Sequence, residues 1–317
     1  MRTLGCLCAL LLACAAHAQY PVKPVHLIVP FPPSGGNDVF ARIVAQKLGE
    51  AWKQQLIVEN RPGAGGSVGT EYAAKAAPDG YTLLLGHTGT LAINPALYPK
   101  IGYDTLRDLA PISMLASAPL VLVVNPNSKL HSVRDILDQA KADPEKLTIA
   151  SSGNGTGSHL TAELLQNTGG IKLTHVPYKG TSPAVTDLLG GQVQMMFSVL
   201  PPALPHINTG RLRPVAVTSA SRIPQLPRVP TVAESGLPDF ESTLAYGILA
   251  PKGTPKPIID EIHSQIAVIT AARDYKVRVD FEGAVVLEGT PAEFAALIKT
   301  QSEKWGKLIR AAGIRPE

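Results

Sequence analysis

A chain of 317 residues is long enough for a large core shared between more than one structural unit. At 45% hydrophobic and 17% charged, it has the composition of a folded protein rather than a disordered one. A net charge of +4, spread along the whole length, excludes a nucleic-acid binder, which would concentrate Lys and Arg in one patch.

Residues 1–18 read as an export signal. Arg2 supplies the positive start, residues 4–16 are apolar but too short to cross a bilayer, and Ala16-His17-Ala18 is a small-x-small cleavage site before Gln19. Cys6, Cys8 and Cys14 are the only cysteines and all precede that cut. The mature chain is therefore expected to have no disulfide and no cysteine-ligated metal. Leu11-Leu12-Ala13-Cys14 offers a competing lipoprotein site that would leave the protein tethered through Cys14; the site after Ala18 is the better match. No later run is long enough for a transmembrane helix.

The mature chain opens with an apolar run at residues 25–29, broken only by His26, which predicts a short buried strand. Pro30-Phe31-Pro32-Pro33-Ser34-Gly35-Gly36 leads from it into a helix that carries Phe40, Ile43, Val44, Leu48 and Trp52 on one side. Free N–H groups at that helix start, with the positive end of the dipole, make an anion site out of backbone. The plainer alternative is an ordinary strand-to-helix turn with Asn37 or Asp38 as N-cap.

The same pattern recurs. A strand over residues 55–59 runs into the glycine-rich turn 60–67 and a helix over 68–77. A third strand over 81–85 ends in Gly86-His87-Thr88-Gly89-Thr90. Residues 119–126 form a long apolar strand, followed by a helix over 132–142 with Ser132 as N-cap. A strand over 147–150 then meets the loop 151–159 and a helix over 160–167. A further strand with its loop is expected at 174–180, more strands at 193–198, 212–218 and 244–251, and helices at 183–189, 257–270 and 291–312. Strands alternating with helices, with glycines at the strand exits, predict an α/β protein with mainly parallel sheets flanked by helices. Ligands in such sheets sit beyond the carboxyl ends of the strands, where all these loops lie. The two long strands ending in proline are candidate crossovers between lobes. One lobe would comprise residues 19–121 and 246–317, the other an insertion of residues 122–245.

Several motifs suggest chemistry. Gly153-Asn154-Gly155-Thr156-Gly157-Ser158 has the outline of a dinucleotide loop, but its sixth position is Ser158 and nothing acidic follows where a ribose would need it. Anion cradling by the same amides is the better reading. Gly65-Gly66-Ser67-Val68-Gly69 fits G-x-S-x-G, yet residues 60–65 separate Ser67 from the strand, where a hydrolase elbow follows its strand directly. An exported serine hydrolase using Ser67 is the alternative function. His87 and His159 each lie in a glycine loop, but no metal-ligand spacing accompanies them, so neither metal nor cofactor is expected. Tyr178 and Lys179 stand at a strand exit, Lys179 as readily a solvated charge. Arg61 is expected to orient its own loop through carbonyl contacts.

Long stretches of the chain resemble one family. They include 21–24 (PVKP), 29–38 (VPFPPSGGND), 58–66 (VENRPGAGG), 77–83 (APDGYTL), 175–180 (HVPYKG), 187–191 (DLLGG), 226–231 (LPRVPT) and 250–255 (APKGTP). Together they are similar to the Bug-type receptors of tripartite tricarboxylate transporters, over essentially the whole mature chain. The resemblance implies a two-lobed periplasmic binding protein of the type II kind, a Venus flytrap whose ligand cleft lies between hinged lobes. It implies a monomer that binds a small carboxylate (amino acid, dicarboxylate, tricarboxylate or aromatic acid) and delivers it to integral-membrane transporter subunits, without catalysis. Carried onto this chain, the ligand-binding loops are 31–38, with Phe31, Ser34, Gly35, Gly36 and Asp38, and 151–159, with Ser152, Gly153, Asn154, Gly155, Thr156, Ser158 and His159. The wall positions are Ser67, His87, Thr88 and Tyr178. Where members commonly have Ala-Pro-Gly-Gly, this chain has Pro32-Pro33-Ser34-Gly35-Gly36, with more bulk and an added hydroxyl.

Overall fold

The computed structural model describes residues 20–33 and 35–315. The export signal, the Cys14 site and Ser34 lie outside the described residues. The apolar run becomes β1 (Val25–Val29), whose Leu27, Ile28 and Val29 are buried on both faces, as expected of a parallel strand covered on two sides. Helix α1 (Gly36–Trp52) returns over the sheet and buries Phe40, Val44 and Leu48. Its N-cap is Gly35 and no side chain caps it, so Asn37 and Asp38 lie inside the first turn and not at the cap. Strand β2 (Leu56–Asn60) pairs parallel with one edge of β1. After α2 (Ser67–Ala74), β3 (Thr82–His87) pairs parallel with the other edge.

Short helices α3 (Asn94–Leu97) and α4 (Thr105–Asp108) lead into β4 (Leu109–Val124), a strand of 16 residues. The sequence signal begins only at residue 119, because Pro111 and Ser113 interrupt the apolar run. The ladder absorbs them with register shifts between Pro111 and Ser113 and between Met114 and Ala116. There follow α5 (Val133–Ala142), capped by a reciprocal Ser132–Asp135 box, then β5 (Thr148–Ser151), α6 (Gly157–Gly169), β6 (Thr174–Pro177), α7 (Thr181–Leu189) and β7 (Met195–Val199). Helix α8 (Leu200–Asn208) gave no helical signal because it holds three prolines. Pro201 and Pro202 occupy its first turn, where no amide donor is needed. The chain ends with β8 (Arg213–Val217), β9 (Thr243–Pro251), α9 (Lys256–Ala271), α10 (Arg273–Phe281), β10 (Val285–Val286) and α11 (Pro291–Ala312).

The strands run in the order β2-β1-β3-β9-β4-β7-β5-β6, with β8 and β10 also paired to β4. Two parallel triplets, β2-β1-β3 and β7-β5-β6, thus flank a central antiparallel pair. The first part of β4 joins β9, from Leu109 opposite Pro251 to Pro119 opposite Thr243. From Leu120 onward it joins β7 and β8. At that handover the buried Thr218 hydroxyl accepts from Leu120 N–H at 2.8 Å and donates to Ser242 C=O at 2.5 Å. Helix α11 adds a second tie: Trp305 and Ile309 pack with Ile93, Leu97 and Leu160, the last from α6.

Thr218→Val is isosteric but leaves the Leu120 donor and the Ser242 acceptor buried and unpaired. We expect a loss of about 2–4 kcal/mol, read from urea denaturation, with Thr218→Ser recovering most of it.

Candidate ligand-binding site

Three strand-to-helix connections converge on one cavity of about 700 Å³, its open mouth included. Gly36 and Asn37 come from the start of α1, Gly157 and Ser158 from α6, and Thr181 and Ser182 from α7. The leading amides of a helix have no intrahelical acceptor, and each terminus carries partial positive charge. Thr156 caps α6, its hydroxyl accepting from His159 N–H at 3.4 Å. Gly180 caps α7 at φ 119°, ψ 173°, a backbone conformation open to glycine and to few other residues. Tyr178 N–H bonds to Ser151 C=O and Gly180 N–H to Ser152 C=O, which ties the β6–α7 loop to the end of β5.

Much of the rest of the wall is apolar, with Phe31, Pro32, Leu120, Phe197, Val199, Leu244 and the Tyr246 ring lining it beside Ser152, Thr156 and Lys179. His87 stacks on Phe31, ring centroids 4.9 Å apart, and meets Tyr246 edge-on at 5.8 Å. Its Nδ1 accepts from Gly89 N–H at 2.7 Å, which assigns the proton to Nε2. Burial pushes its pKa down to about 4, so the ring is neutral at pH 7. Among the described residues Lys179 is the one Lys or Arg of the lining, and no Asp or Glu is part of it. Such an arrangement suits an anion with an apolar body: amides for the charge, hydrocarbon for the rest.

The predicted site residues divide. Phe31, Gly35, Gly36, His87, Ser152, Thr156 and Ser158 line the cavity. Asp38 does not: its carboxylate accepts from Arg42 Nε at 2.9 Å and Asn60 Nδ2 at 3.0 Å, on the far side of α1. Thr88 is also turned away, its hydroxyl accepting from Ala245 N–H at 3.0 Å. Gly153, Asn154 and Tyr178 line a neighbouring open cleft beyond Phe31 and Pro32, and the Tyr178 hydroxyl donates to Asp187 at 2.7 Å. Gly155 and His159 stand one layer back. Gly155 N–H donates to His159 Nδ1 at 3.2 Å, and a Cβ on Gly155 would come within 2.5 Å of Asn94 Oδ1. Arg61 pairs with Glu59 at 3.0 Å and covers the Tyr72 ring, so it does not serve its loop carbonyls as expected.

Comparison with known proteins shows what this geometry belongs to. Residues 40–314 match the model of the tripartite tricarboxylate transporter family receptor. The chain belongs to this receptor family. It is 40% identical to protein BugT of Bordetella pertussis over 297 residues, covering 93% of this chain and 91% of BugT. Its structure is similar to that of R. palustris Rpa4515, solved with adipate, with a TM-score of 0.91 and 34% identity, covering 94% of this chain and all of that one. It is also similar to the periplasmic binding protein BugD, with a TM-score of 0.88 and 35% identity over 94% of this chain and all of BugD. The Bug-type resemblance and the α/β binding-protein fold read from sequence are thereby established.

The receptor is a binding protein, not an enzyme, and the geometry at Ser67 agrees. Ser67 opens α2 outside the cavity and its Oγ accepts from Asn94 Nδ2 at 3.1 Å; among the described residues no histidine is its partner. The sequence reading missed Asn37, the α7 start and the apolar wall. The α7 start carried a usable signal, Gly180-Thr181-Ser182-Pro183, a glycine with hydroxyl residues and a proline at a helix opening. The expected helix began two residues late, at Pro183.

The receptor's two buried histidines give a testable pH dependence. Folded His87 and His159 take up protons only near 4 and 3, because of burial and, for His159, the adjacent His175; unfolded histidine does so near 6.5. Between these values the unfolded chain binds more protons, so stability falls as pH drops from 6.5 toward 4. Melting temperature across that window should decline, with a shallower slope in His87→Gln.

Proposed function

We propose that this receptor works outside the cytoplasmic membrane, holds a small carboxylate in the cavity, and hands it to integral-membrane transporter subunits. The observation that carries the reading is the meeting of three helix N-termini at one largely apolar cavity with no carboxylate among its described lining residues. Adipate in Rpa4515, a dicarboxylate with an apolar middle, has the chemistry that such a wall would accept. A periplasmic location is supported by the export signal read in residues 1–18 and by the periplasmic relative BugD. Among the described residues no helix is long and apolar enough to cross a membrane.

The two sheet flanks are read as lobes, residues 19–121 with 246–317 and residues 122–245, that close on the ligand about residues 120–125, at the end of β4, and 244–250, within β9. Residues from both flanks line the cavity, so closure would exclude water from the bound carboxylate. Small-angle scattering with saturating ligand should then report a smaller radius of gyration; an unchanged value with binding confirmed counts against a hinge.

Backbone amides are the main source of affinity in this reading. A hydrogen bond to a charged group contributes about 1.5–3 kcal/mol, so four donors supply roughly 6–12 kcal/mol before ordering costs. Micromolar binding needs about 8 kcal/mol. Thr181→Pro deletes one donor at a helix position where proline fits, while Thr181→Ala removes only the side chain. By calorimetry with adipate, the proline variant should bind at least about tenfold more weakly than the alanine variant, and Lys179→Ala should lose less than tenfold. Abolished binding in Lys179→Ala beside normal binding in Thr181→Pro would show that a basic clamp, not the backbone, holds the ligand.

A further inference from the structure

Asn37 is the second residue of α1 and part of the cavity wall. It is 6% exposed, and among the described residues its Oδ1 has no hydrogen-bond partner. A buried acceptor without a donor is destabilising, and few are retained without a reason. Among the described residues, none of the six hydroxyl residues of the wall, Ser152, Thr156, Ser158, Thr181, Ser182 and Tyr246, supplies that donor. A donor brought in by the ligand would.

On the carbon next to a carboxylate, two common substituents can donate: a hydroxyl and an ammonium. The wall separates them. Three helix termini present positive ends to the cavity, Lys179 adds a cation, and no Asp or Glu among the described lining residues answers them. The next residue along, Asp38, is committed to Arg42 and Asn60 on the opposite side of the helix. An ammonium entering this cavity would shed its hydration without meeting a counter-charge. A neutral hydroxyl sheds far less and satisfies Asn37. Asn37 lines the cavity within the first turn of α1, next to the amides that would hold a carboxylate, so the substituent adjacent to that carboxylate is the group of the ligand nearest to it.

We propose that the receptor selects 2-hydroxy carboxylates over the matching unsubstituted acids and over the matching amino acids, with Asn37 Oδ1 accepting the ligand hydroxyl. This rests on the carboxylate reading of the same cavity.

Calorimetry with two matched series tests it: malate, succinate and aspartate, then 3-phenyllactate, 3-phenylpropionate and phenylalanine, with adipate as reference. Within whichever skeleton binds, the hydroxy acid should be about tenfold tighter than the unsubstituted acid, equivalent to about 1.4 kcal/mol. The amino acid should be the weakest of the three. Asn37→Leu should erase the hydroxyl advantage, and Asn37→Asp, isosteric but anionic, should reverse the order of hydroxy acid and amino acid. An amino acid that matches the hydroxy acid in the unaltered receptor overturns the proposal without any variant, as does a hydroxyl advantage that survives in Asn37→Leu. Binding of adipate with none of the hydroxy acids bound overturns the selectivity and leaves the carboxylate reading standing. Failure of adipate and both series at millimolar concentration overturns the carboxylate reading itself.

Discussion

The antiparallel ladder between β4 and β9 is the constraint on which the rest of this molecule depends. β9 borders the triplet β2-β1-β3 through β3, β4 borders the triplet β7-β5-β6 through β7, and β4 changes partners at Leu120. That handover turns the carboxyl ends of β1 on one flank and of β5 and β6 on the other toward a common space. Parallel strands followed by helices leave helix N-termini at those ends by geometry alone, so the cavity acquires its amides without any side chain being specified for the task. The Thr218 hydroxyl, bonded to both Leu120 and Ser242, supports the point where the ladder changes hands.

Apolar surroundings then decide how much those amides can do. Phe31, Phe197, Val199, Leu244 and Tyr246 lower the local dielectric, which strengthens a hydrogen bond to an anion and raises the cost of any charge left unpaired. Neutral His87 extends that wall: it is sandwiched against Phe31, engaged by Gly89, and uncharged because it is buried. Among the described lining residues no carboxylate is present, so a cation entering the site would meet no side-chain counter-charge.

A second layer keeps the first in place. His159 accepts from Gly155 and stacks on His175 at 4.3 Å, and His175 shares a 2.7 Å hydrogen bond with Ser151, whose hydroxyl also accepts from Gly153. These contacts set the course of the loop ahead of α6. They explain why His159, Gly153 and Gly155 stand out in the sequence beside ligand-facing residues while making no part of the cavity wall themselves.

The sequence by itself determined the local events: β1, the glycine-rich exit, the amphipathic run of α1, the Ser132 cap, and the repeat of strand, glycine loop and helix at residues 147–167. Each is fixed by neighbours within a few positions, through backbone sterics, capping and periodic burial, and each stands within a few residues of where it was expected. The family motifs extended this reading to the receptor fold. What the sequence did not yield was anything set by register and approach across the chain. Asp38 and Asn37 are adjacent polar residues on one helix turn, yet α1 packs so that Asn37 faces the cavity and Asp38 meets Arg42 and Asn60. Leu244 and Tyr246 reach the cavity wall only because β9 lies between β3 and β4. The prolines of α8 and the bulged start of β4 oppose the local signal and are carried by pairing and packing. Local rules named the loops; the tertiary structure chose which of their residues face a ligand, because facing is a property of how two distant segments meet.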